Sequence, residues 1–303
     1  MARRYRDFIT LDAFPTEEIS DLLDLAMSQK ADDGTYRYSR FLVGKVVGLF
    51  FEKPSLRTRL SFEVAIYQLG GQCLYMGPES GALGSREAIK DQAKVVARYL
   101  DAVVLRTKRH ETILEFARHS VKPVINGLSD EFHPCQALGD LLTIREKVGR
   151  LTGVKIAYIG DANNVCRSLA QAVSKCGMTL AIASPEKHML PESFMKTLDP
   201  GASVVQTTDP AKAVQDAEVI YTDVWVSMGQ ESEAEERKKV FQPYQVNAEL
   251  LEKAPKAIVM HCLPAHRGDE ITDQAIDSPR SVVYDQAENR LHVQRALLFR
   301  LLG

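Results

Sequence analysis

The sequence predicts an α/β protein with two doubly wound domains, each a parallel sheet flanked by helices, joined by interdomain helices. Short apolar runs alternate with helical segments along the whole chain, which is the pattern of parallel sheets covered by helices on both faces. The alternation breaks near Val148-Gly149-Arg150. The length of 303 residues is enough for two cores of medium size. We therefore expect two domains.

The first series of elements begins with a helix near 16–30. Its predicted strands lie at 45–52, 72–77, 102–107 and 123–128. Its predicted helices lie at 55–70, 85–100 and 110–120. A helix near 133–149 then leads into the second series.

The second series has predicted strands at 155–160, 179–184, 203–207, 218–224, 257–263 and 281–285, with helices between them. A last helix runs from Glu288 to Leu302, and its apolar stripe consists of Leu291, Val293, Ala296, Leu297 and Leu301. We expect domains at residues 1–148 and 149–287, with the helix in 288–303 packing back on the first domain.

Composition and charge exclude several classes of function. The net charge of −2 gives no electrostatic case for nucleic acid or an anionic membrane as partner. The basic N-terminus lacks the apolar stretch of a signal peptide, and no apolar run approaches a membrane span. The five cysteines are scattered without a C-x-x-C pair. This pattern fits the reducing cytoplasm and predicts no zinc or disulfide framework.

The segment Ser55-Leu56-Arg57-Thr58-Arg59 places positive charge where a helix begins. Ser55 is a plausible N-cap, so Arg57 and Arg59 fall in the first turn, where acidic residues are normally preferred. Two arginines and a threonine hydroxyl beside unpaired N–H groups make a site for a bound anion, most naturally phosphate. The alternative is an ordinary capped helix whose arginines reach into solvent.

Other unusual polar residues also fall at predicted strand or helix ends, where open α/β sheets bind ligands. Arg106 closes a strand and can direct its donors at a phosphate or carbonyl oxygen, or it pairs with an acid at the rim. His133 and Gln136 share one face of the linking helix, in which Pro134 suits the first position. The histidine could equally serve only as a helix cap.

Three further clusters lie in the second half of the chain. Of the dinucleotide-binding fingerprint G-x-G-x-x-G, only Gly160 is present. The following Asn163-Asn164 can cap a helix, or one of them can cap while the other holds a ligand. Asp223 ends a strand and can hold an ammonium group, while the charged stretch Gln230–Lys239 is predicted to be a solvated helix face. Cys262 follows a histidine at a strand end and is either a buried small hydrophobe or a cleft thiol.

With these residues in place, the whole chain resembles the aspartate/ornithine carbamoyltransferase family. Four motifs stand in family order: S-x-R-T-R at 55–59, H-P-x-Q at 133–136, D-x-x-x-S-M-G at 223–229 and H-C-L-P at 261–264. The last two resemble the ornithine-specific branch, since aspartate enzymes are not expected to carry them. Putrescine and acyl-ornithine enzymes differ in the S-M-G region.

The resemblance implies a homotrimer that transfers a carbamoyl group from carbamoyl phosphate to L-ornithine, giving L-citrulline, without metal or organic cofactor. The implied catalytic residues are Arg106, His133, Asp223 and Cys262. The implied carbamoyl phosphate ligands are Ser55, Leu56, Arg57, Thr58, Arg106, His133, Pro134, Cys135, Gln136, Cys262, Leu263 and Arg290, with Arg86 from a neighbouring subunit. The implied ornithine ligands are Asn164, Asp223, Ser227 and Met228.

Two positions depart from the family pattern. Leu56 stands where threonine is common, which removes a hydroxyl but keeps the backbone N–H. Ala82 stands where many relatives have glutamine. The contact with the site of a neighbouring subunit is therefore expected from Arg86 instead. The rival functions are a dehydrogenase, which the missing glycine fingerprint disfavours, a non-catalytic binding relative, and a carbamoyltransferase for putrescine, N-acylornithine or aspartate.

Overall fold

The computed structural model describes residues 6–31, 40–226 and 231–303. The chain divides into two units, Met1–Leu142 with Glu288–Gly303, and Thr143–Ala287. In the described part of the chain, no helix combines the length and apolar character needed to span a membrane.

The first unit contains a four-stranded parallel sheet in the order β2-β1-β3-β4. Its elements are α1 (Thr16–Ala31), β1 (Val46–Phe51), α2 (Leu56–Gln68), β2 (Gln72–Met76), α3 (Ile89–Tyr99), β3 (Ala102–Arg106), α4 (His110–His119) and β4 (Val124–Leu128). Helix α5 (Pro134–Val148) begins in this unit and ends in the second.

The second unit contains a five-stranded parallel sheet in the order β7-β6-β5-β8-β9. Its strands are β5 (Lys155–Ile159), β6 (Thr179–Ala183), β7 (Ser203–Thr207), β8 (Val219–Thr222) and β9 (Ile258–His261). Its helices are α6 (Asn164–Lys175), α7 (Glu192–Met195), α8 (Pro210–Val214), α9 (Ala234–Phe241), α10 (Ala248–Glu252) and α11 (Asp273–Ile276), and α12 (Val283–Leu302) returns the chain to the first unit. The predicted α/β class with two parallel sheets is confirmed.

Each sheet has a point at which the strand order reverses. Strand β1 lies between β2 and β3 in the first unit, and β5 lies between β6 and β8 in the second. Ligands bind in open α/β sheets beyond the carboxyl ends of the strands at such reversals. The ends of β1 and β3, and those of β5 and β8, are therefore where ligand-binding side chains are expected.

The predicted strand at 281–285 is wrong. Ser281 makes only an isolated bridge to Val259, and α12 already begins at Val283. The run Ser281-Val282-Val283 has strand composition, but Val283 buries its side chain in the core of the second unit from the first turn of a helix. An apolar run predicts burial, and here the burial is achieved in a helix and not in a strand.

The predicted helix at 85–100 begins later, at Ile89. Residues 82–85 form a turn in which the Ser85 hydroxyl donates to the carbonyl of Ala82 at 2.6 Å. Gly84 has a φ of +81°, a left-handed conformation that glycine adopts readily. The turn therefore delays the helix to Ile89.

Candidate active-site residues in the two units

The N-terminus of α2 has the predicted capped geometry. Ser55 has extended dihedrals, and its hydroxyl accepts a hydrogen bond from the backbone N–H of Thr58 at 3.3 Å. The first turn contains no acidic residue and carries the half-buried Arg57. The helix end therefore presents backbone N–H groups beside an arginine, as an anion site requires.

Arg59, the second predicted anion-binding arginine, has partners within the first unit. Its Nε donates to Glu63 at 2.9 Å, and its guanidinium lies 3.9 Å from the centre of the Tyr75 ring. The residue four positions along the helix supplies a neighbouring carboxylate. Arg59 is thus paired within the first unit, and its contact with an anion stays a prediction.

Thr58 and Arg290 lie together inside the first unit. The Arg290 Nη2 donates to the Thr58 hydroxyl at 2.8 Å, and both residues are buried. Gly139 on α5 makes room for this arginine, because a Cβ at Gly139 would lie 3.1 Å from the Arg290 Cγ. The last helix thus brings a second arginine to the N-terminus of α2.

His133 is buried beside two arginines. It is 5% exposed, and burial together with the charges of Arg290 and Arg106 holds its pKa well below the usual value. Arg106 ends β3 and is itself 6% exposed. The imidazole is therefore neutral at physiological pH and can stabilise a developing negative charge only as a hydrogen-bond donor, whereas Arg106 brings a full positive charge.

The other residues of the H-P-x-Q motif lie at the start of α5. Pro134 occupies the first helical position. The Gln136 amide donates to Asp140 at 2.9 Å, one turn along the helix. The Cys135 thiol donates to the carbonyl of Asn126 at 3.4 Å, and burial raises its pKa to about 12. The Cys135 side chain is thus a protonated core group.

Glu52 is a functional candidate that the sequence reasoning missed. Its carboxylate follows β1 and accepts from the backbone N–H groups of Leu83 at 3.1 Å and Lys108 at 2.8 Å. It therefore joins the turn beyond β2 to the loop beyond β3. A pocket of about 230 Å³ lies beside Glu52 and is lined also by Ala82 and Arg86. An acid three residues before the S-x-R-T-R motif was the available signal.

In the second unit, the two asparagines have different roles. The Asn163 Oδ1 accepts from the backbone N–H groups of Val165 and Cys166, so Asn163 caps α6. Its Nδ2 donates to Asp223 at 2.7 Å. Asn164 is the first residue of α6, and its contact with ornithine stays a prediction.

Three donors converge on the buried carboxylate of Asp223. They are the Asn163 amide, the backbone N–H of Val224 at 2.8 Å and the Cys262 thiol at 2.9 Å. Cys262 is only partly buried and donates to a carboxylate. The geometry therefore favours the cleft thiol over the buried hydrophobe.

His261 orders the strand end that carries Cys262. Its Nδ1 accepts from the backbone N–H of Leu263 at 2.9 Å, which places the ring proton on Nε2, 2.9 Å from Glu270. Leu263 has a φ of +56°, an uncommon value for a residue other than glycine. The ligand atoms of Asp223, His261 and Cys262 lie within 4.8 Å of one another, but both ring nitrogens of His261 are already engaged.

Arg237 contradicts the predicted solvated face at Gln230–Lys239. It is 5% exposed, pairs with Asp161 at 2.5 Å, and donates from Nε to the carbonyl of Trp225 at 2.6 Å. Sequence reasoning missed both Arg237 and Asp161, because nothing in a charged helix distinguishes a buried arginine from exposed ones. The predicted ligands Ser227 and Met228 lie outside the described residues.

Comparison with known proteins identifies the family. A model described as the carbamoyl-P binding domain of aspartate/ornithine carbamoyltransferase matches residues 6–146, and one described as its Asp/Orn binding domain matches residues 152–301. The chain belongs to the aspartate/ornithine carbamoyltransferase family. The resemblance carried by the four motifs is confirmed.

Individual members of this family match over nearly the full chain. The ornithine carbamoyltransferase of Halalkalibacterium halodurans is 49% identical, covering 98% of this chain and 95% of that protein. The protein named "Ornithine carbamoyltransferase, anabolic" from Pyrococcus furiosus is also 49% identical, covering 98% and 96%. Its solved structure has a TM-score of 0.95 over 98% of this chain and 97% of that one, and the Thermus thermophilus enzyme has 0.89 at 42% identity over 98% and 99%.

Proposed function

We propose that this protein transfers the carbamoyl group of carbamoyl phosphate to the side-chain amine of L-ornithine, giving L-citrulline and phosphate. The observation that carries the proposal is the Asp223 carboxylate, held by Asn163 and Cys262 at the strand-order reversal of the second unit. A carboxylate fixed in this way binds and orients a substrate ammonium. The ornithine carbamoyltransferases at 49% identity support the same acceptor.

The first unit supplies the groups that carbamoyl phosphate requires. The capped end of α2 and Arg57 offer N–H donors and positive charge to the phosphate. Arg106 and neutral His133 supply donors for the carbonyl oxygen. We infer that this unit binds carbamoyl phosphate and that the second unit binds ornithine, consistent with the descriptions of the two matching family models.

The reaction is an attack of the neutral amine nitrogen on the carbonyl carbon. A carbon–nitrogen bond forms, the carbon–oxygen bond to phosphate breaks, and the nitrogen loses a proton. If the amine pKa resembles that of lysine, roughly 10.4, deprotonation at pH 7 costs about 4–5 kcal/mol. Asp223 and Cys262 are the groups proposed to orient the amine and receive its proton.

Negative charge develops at two places during this reaction. On the carbonyl oxygen it is stabilised by Arg106 and His133, and on the leaving phosphate by Arg57 and the α2 N-terminus. Preorganised donors of this kind contribute about 2.7–4 kcal/mol each to transition-state stabilisation. These groups account for the chemistry without a step that requires a metal or organic cofactor.

We propose the biosynthetic direction and a cytoplasmic location. The name of the Pyrococcus furiosus relative, which includes "anabolic", supports a role in arginine biosynthesis. The five cysteines are all free thiols, which is the state that the reducing cytoplasm maintains.

The acceptor is tested by initial rates of carbamoyl transfer to ornithine, putrescine, aspartate and N-acetylornithine at equal concentrations. We expect ornithine to give the highest kcat/KM, because Asp223 and the S-M-G motif belong to the ornithine branch. Faster transfer to any other amine would overturn the acceptor assignment. No transfer to any of the four would favour a non-catalytic relative.

We also propose a homotrimer. Helix α2 exposes an apolar stripe at spacings of four, four and three residues, made of Leu56 (70% exposed), Leu60 (49%), Val64 (39%) and Tyr67 (81%). A contiguous apolar face of this kind is typical of a protein–protein contact. Leu60→Glu should shift sedimentation toward monomer, whereas Leu114→Glu, at a 43% exposed position on α4, should not. Trimers in both variants would refute the role of the stripe.

In this trimer, Arg86 is proposed to complete the neighbour's phosphate site. An Arg86→Ala chain and an Arg106→Ala chain should each be nearly inactive alone. Mixed trimers contain some sites with an intact Arg106 from one chain and an intact Arg86 from another, so refolding the two together should restore part of the activity. Activity that stays at the level of the separate variants in verified mixed trimers would contradict a shared site.

A further inference from the structure

A buried arginine on an otherwise charged and exposed helix lies behind the ornithine-side cluster. Only Arg237 and Phe241 are buried on α9, and they are one turn apart. The Arg237 guanidinium lies 5.2 Å from the centre of the Phe241 ring. Burial of a charged arginine is unfavourable unless its N–H groups are hydrogen-bonded. The partners of these N–H groups therefore show which segments Arg237 connects.

Arg237 joins two segments at the carboxyl ends of neighbouring strands. Its Nη2 donates to Asp161, directly beyond β5, at 2.5 Å. Its Nε donates to the carbonyl of Trp225, beyond β8, at 2.6 Å. The Trp225 indole stacks on Phe241 with ring centres 6.1 Å apart. Helix α9 thus holds Trp225 by both its backbone and its side chain.

The same two segments are joined a second time at the proposed ornithine ligand. Asn163, two residues after Asp161, donates to Asp223, two residues before Trp225. Gly160, directly before Asp161, has a φ of +127°, a backbone conformation that glycine adopts readily. The Asp223 carboxylate is therefore held directly by Asn163 and indirectly by Arg237.

We propose that Arg237 and Asp161 are positioning residues for ornithine, which fix the Asp223–Trp225 segment so that the Asp223 carboxylate faces the substrate amine. This inference rests on the proposed function. Neither residue touches the reacting atoms in this arrangement. Their effect is on ornithine binding and leaves the carbamoyl phosphate groups of the first unit unchanged.

The electrostatics of Asp161 add a pH dependence. Burial raises the pKa of Asp161 to about 6 although Arg237 lowers it, and Asp223 raises it further. His188 lies 3.7 Å from Asp161, and burial together with the charge of Arg237 lowers the pKa of His188. As pH falls through about 6, Asp161 becomes neutral and its ion pair with Arg237 is lost.

The test uses this 303-residue chain and three variants of it. Arg237→Lys keeps the charge but cannot make both contacts with one planar fork. Asp161→Asn keeps the shape and removes the charge. Lys239→Gln, exposed on the same helix, is the control. Trp225 is the only tryptophan of the chain, so its fluorescence reports on this network alone.

We expect both test variants to raise the ornithine KM at least fivefold, to leave the carbamoyl phosphate KM within twofold, and to shift tryptophan emission, with no change in the control. The unaltered protein should show a rise in ornithine KM between pH 7 and 5 that is smaller in Asp161→Asn. If Arg237→Lys does not fold, Asp161→Asn decides the question.

An unchanged ornithine KM in a folded variant would overturn the proposal. The proposal would also be overturned by an equal rise in KM for both substrates together with a lower melting temperature, since that pattern indicates a purely structural role. If the unaltered protein forms no citrulline, the proposed function fails instead. Ornithine binding, measured through the change in tryptophan emission, then tests the role of Arg237 and Asp161. An equal affinity for ornithine in all four proteins would reject that role.

Discussion

Replacement of Asp223 by asparagine is the sharpest perturbation of the second unit. The Asp223 side chain is buried, with three donors around it and the substrate ammonium as the proposed fourth. Asparagine keeps the size and one oxygen but removes the charge. The donors from Asn163 and Cys262 can still be partly satisfied, so we expect the variant to fold.

The size of the effect follows from the burial of the carboxylate. Truncating one partner of a buried, hydrogen-bonded charge pair costs about 2–5 kcal/mol. Because asparagine retains an acceptor oxygen, we expect the lower part of that range, about 2–3 kcal/mol, or a roughly 30- to 160-fold loss in kcat/KM for ornithine. The carbamoyl phosphate groups of the first unit are unaltered.

Steady-state kinetics with ornithine and calorimetry with carbamoyl phosphate measure the two effects separately. Asp199→Asn is the matched control, because Asp199 pairs with Lys175 at the surface of the same unit. The reasoning is refuted if Asp223→Asn abolishes carbamoyl phosphate binding. It is equally refuted if the kcat/KM for ornithine changes less than threefold.

Three further predictions concern the other groups. Arg57→Ala should lower kcat/KM for carbamoyl phosphate by about 10²–10³, since Arg57 stabilises the leaving phosphate; Arg109→Ala, an exposed arginine of the same unit, should not, and an equal loss in both would contradict the assignment. His133→Ala should lower kcat without changing the shape of the pH profile of kcat between pH 6.5 and 9, because burial already keeps His133 neutral. If the variant loses an inflection that the unaltered protein shows in this range, the prediction is contradicted. Cys262 should react with a thiol reagent more slowly when both substrates are bound, while Cys176, whose pKa burial raises to about 11, should show no such dependence in peptide mapping; indifference of Cys262 to ligands would leave it a buried hydrophobe.

Features encoded by short stretches of sequence were predictable. The Ser55 cap depends on dihedrals and contacts within one turn, and the structure shows it as predicted. Most strands were located within one or two residues, because buried parallel strands are continuous apolar runs. The helix start after Asn163 likewise followed from the asparagine pair at 163–164, whereas a contact of Asn164 with a ligand stays a prediction.

Features that depend on distant partners were not predictable. The contact of the Arg59 guanidinium with the Tyr75 ring on β2 was not predicted. Arg237 is buried only because Asp161, a distant residue in the sequence, meets it. The start of α12 at Val283 depends on core packing in the second unit. In each case a long-range contact overrode a local preference.

The central claim is that the ornithine side-chain nitrogen becomes bonded to the carbamoyl carbon. Nuclear magnetic resonance of a reaction with carbamoyl phosphate labelled with ¹³C and ornithine labelled with ¹⁵N at its side-chain amine measures this bond directly. The proposed reaction predicts citrulline with one-bond ¹³C–¹⁵N coupling and an equimolar amount of phosphate. Phosphate release without that coupling would show hydrolysis and would contradict the assignment of this chain as a transferase for ornithine.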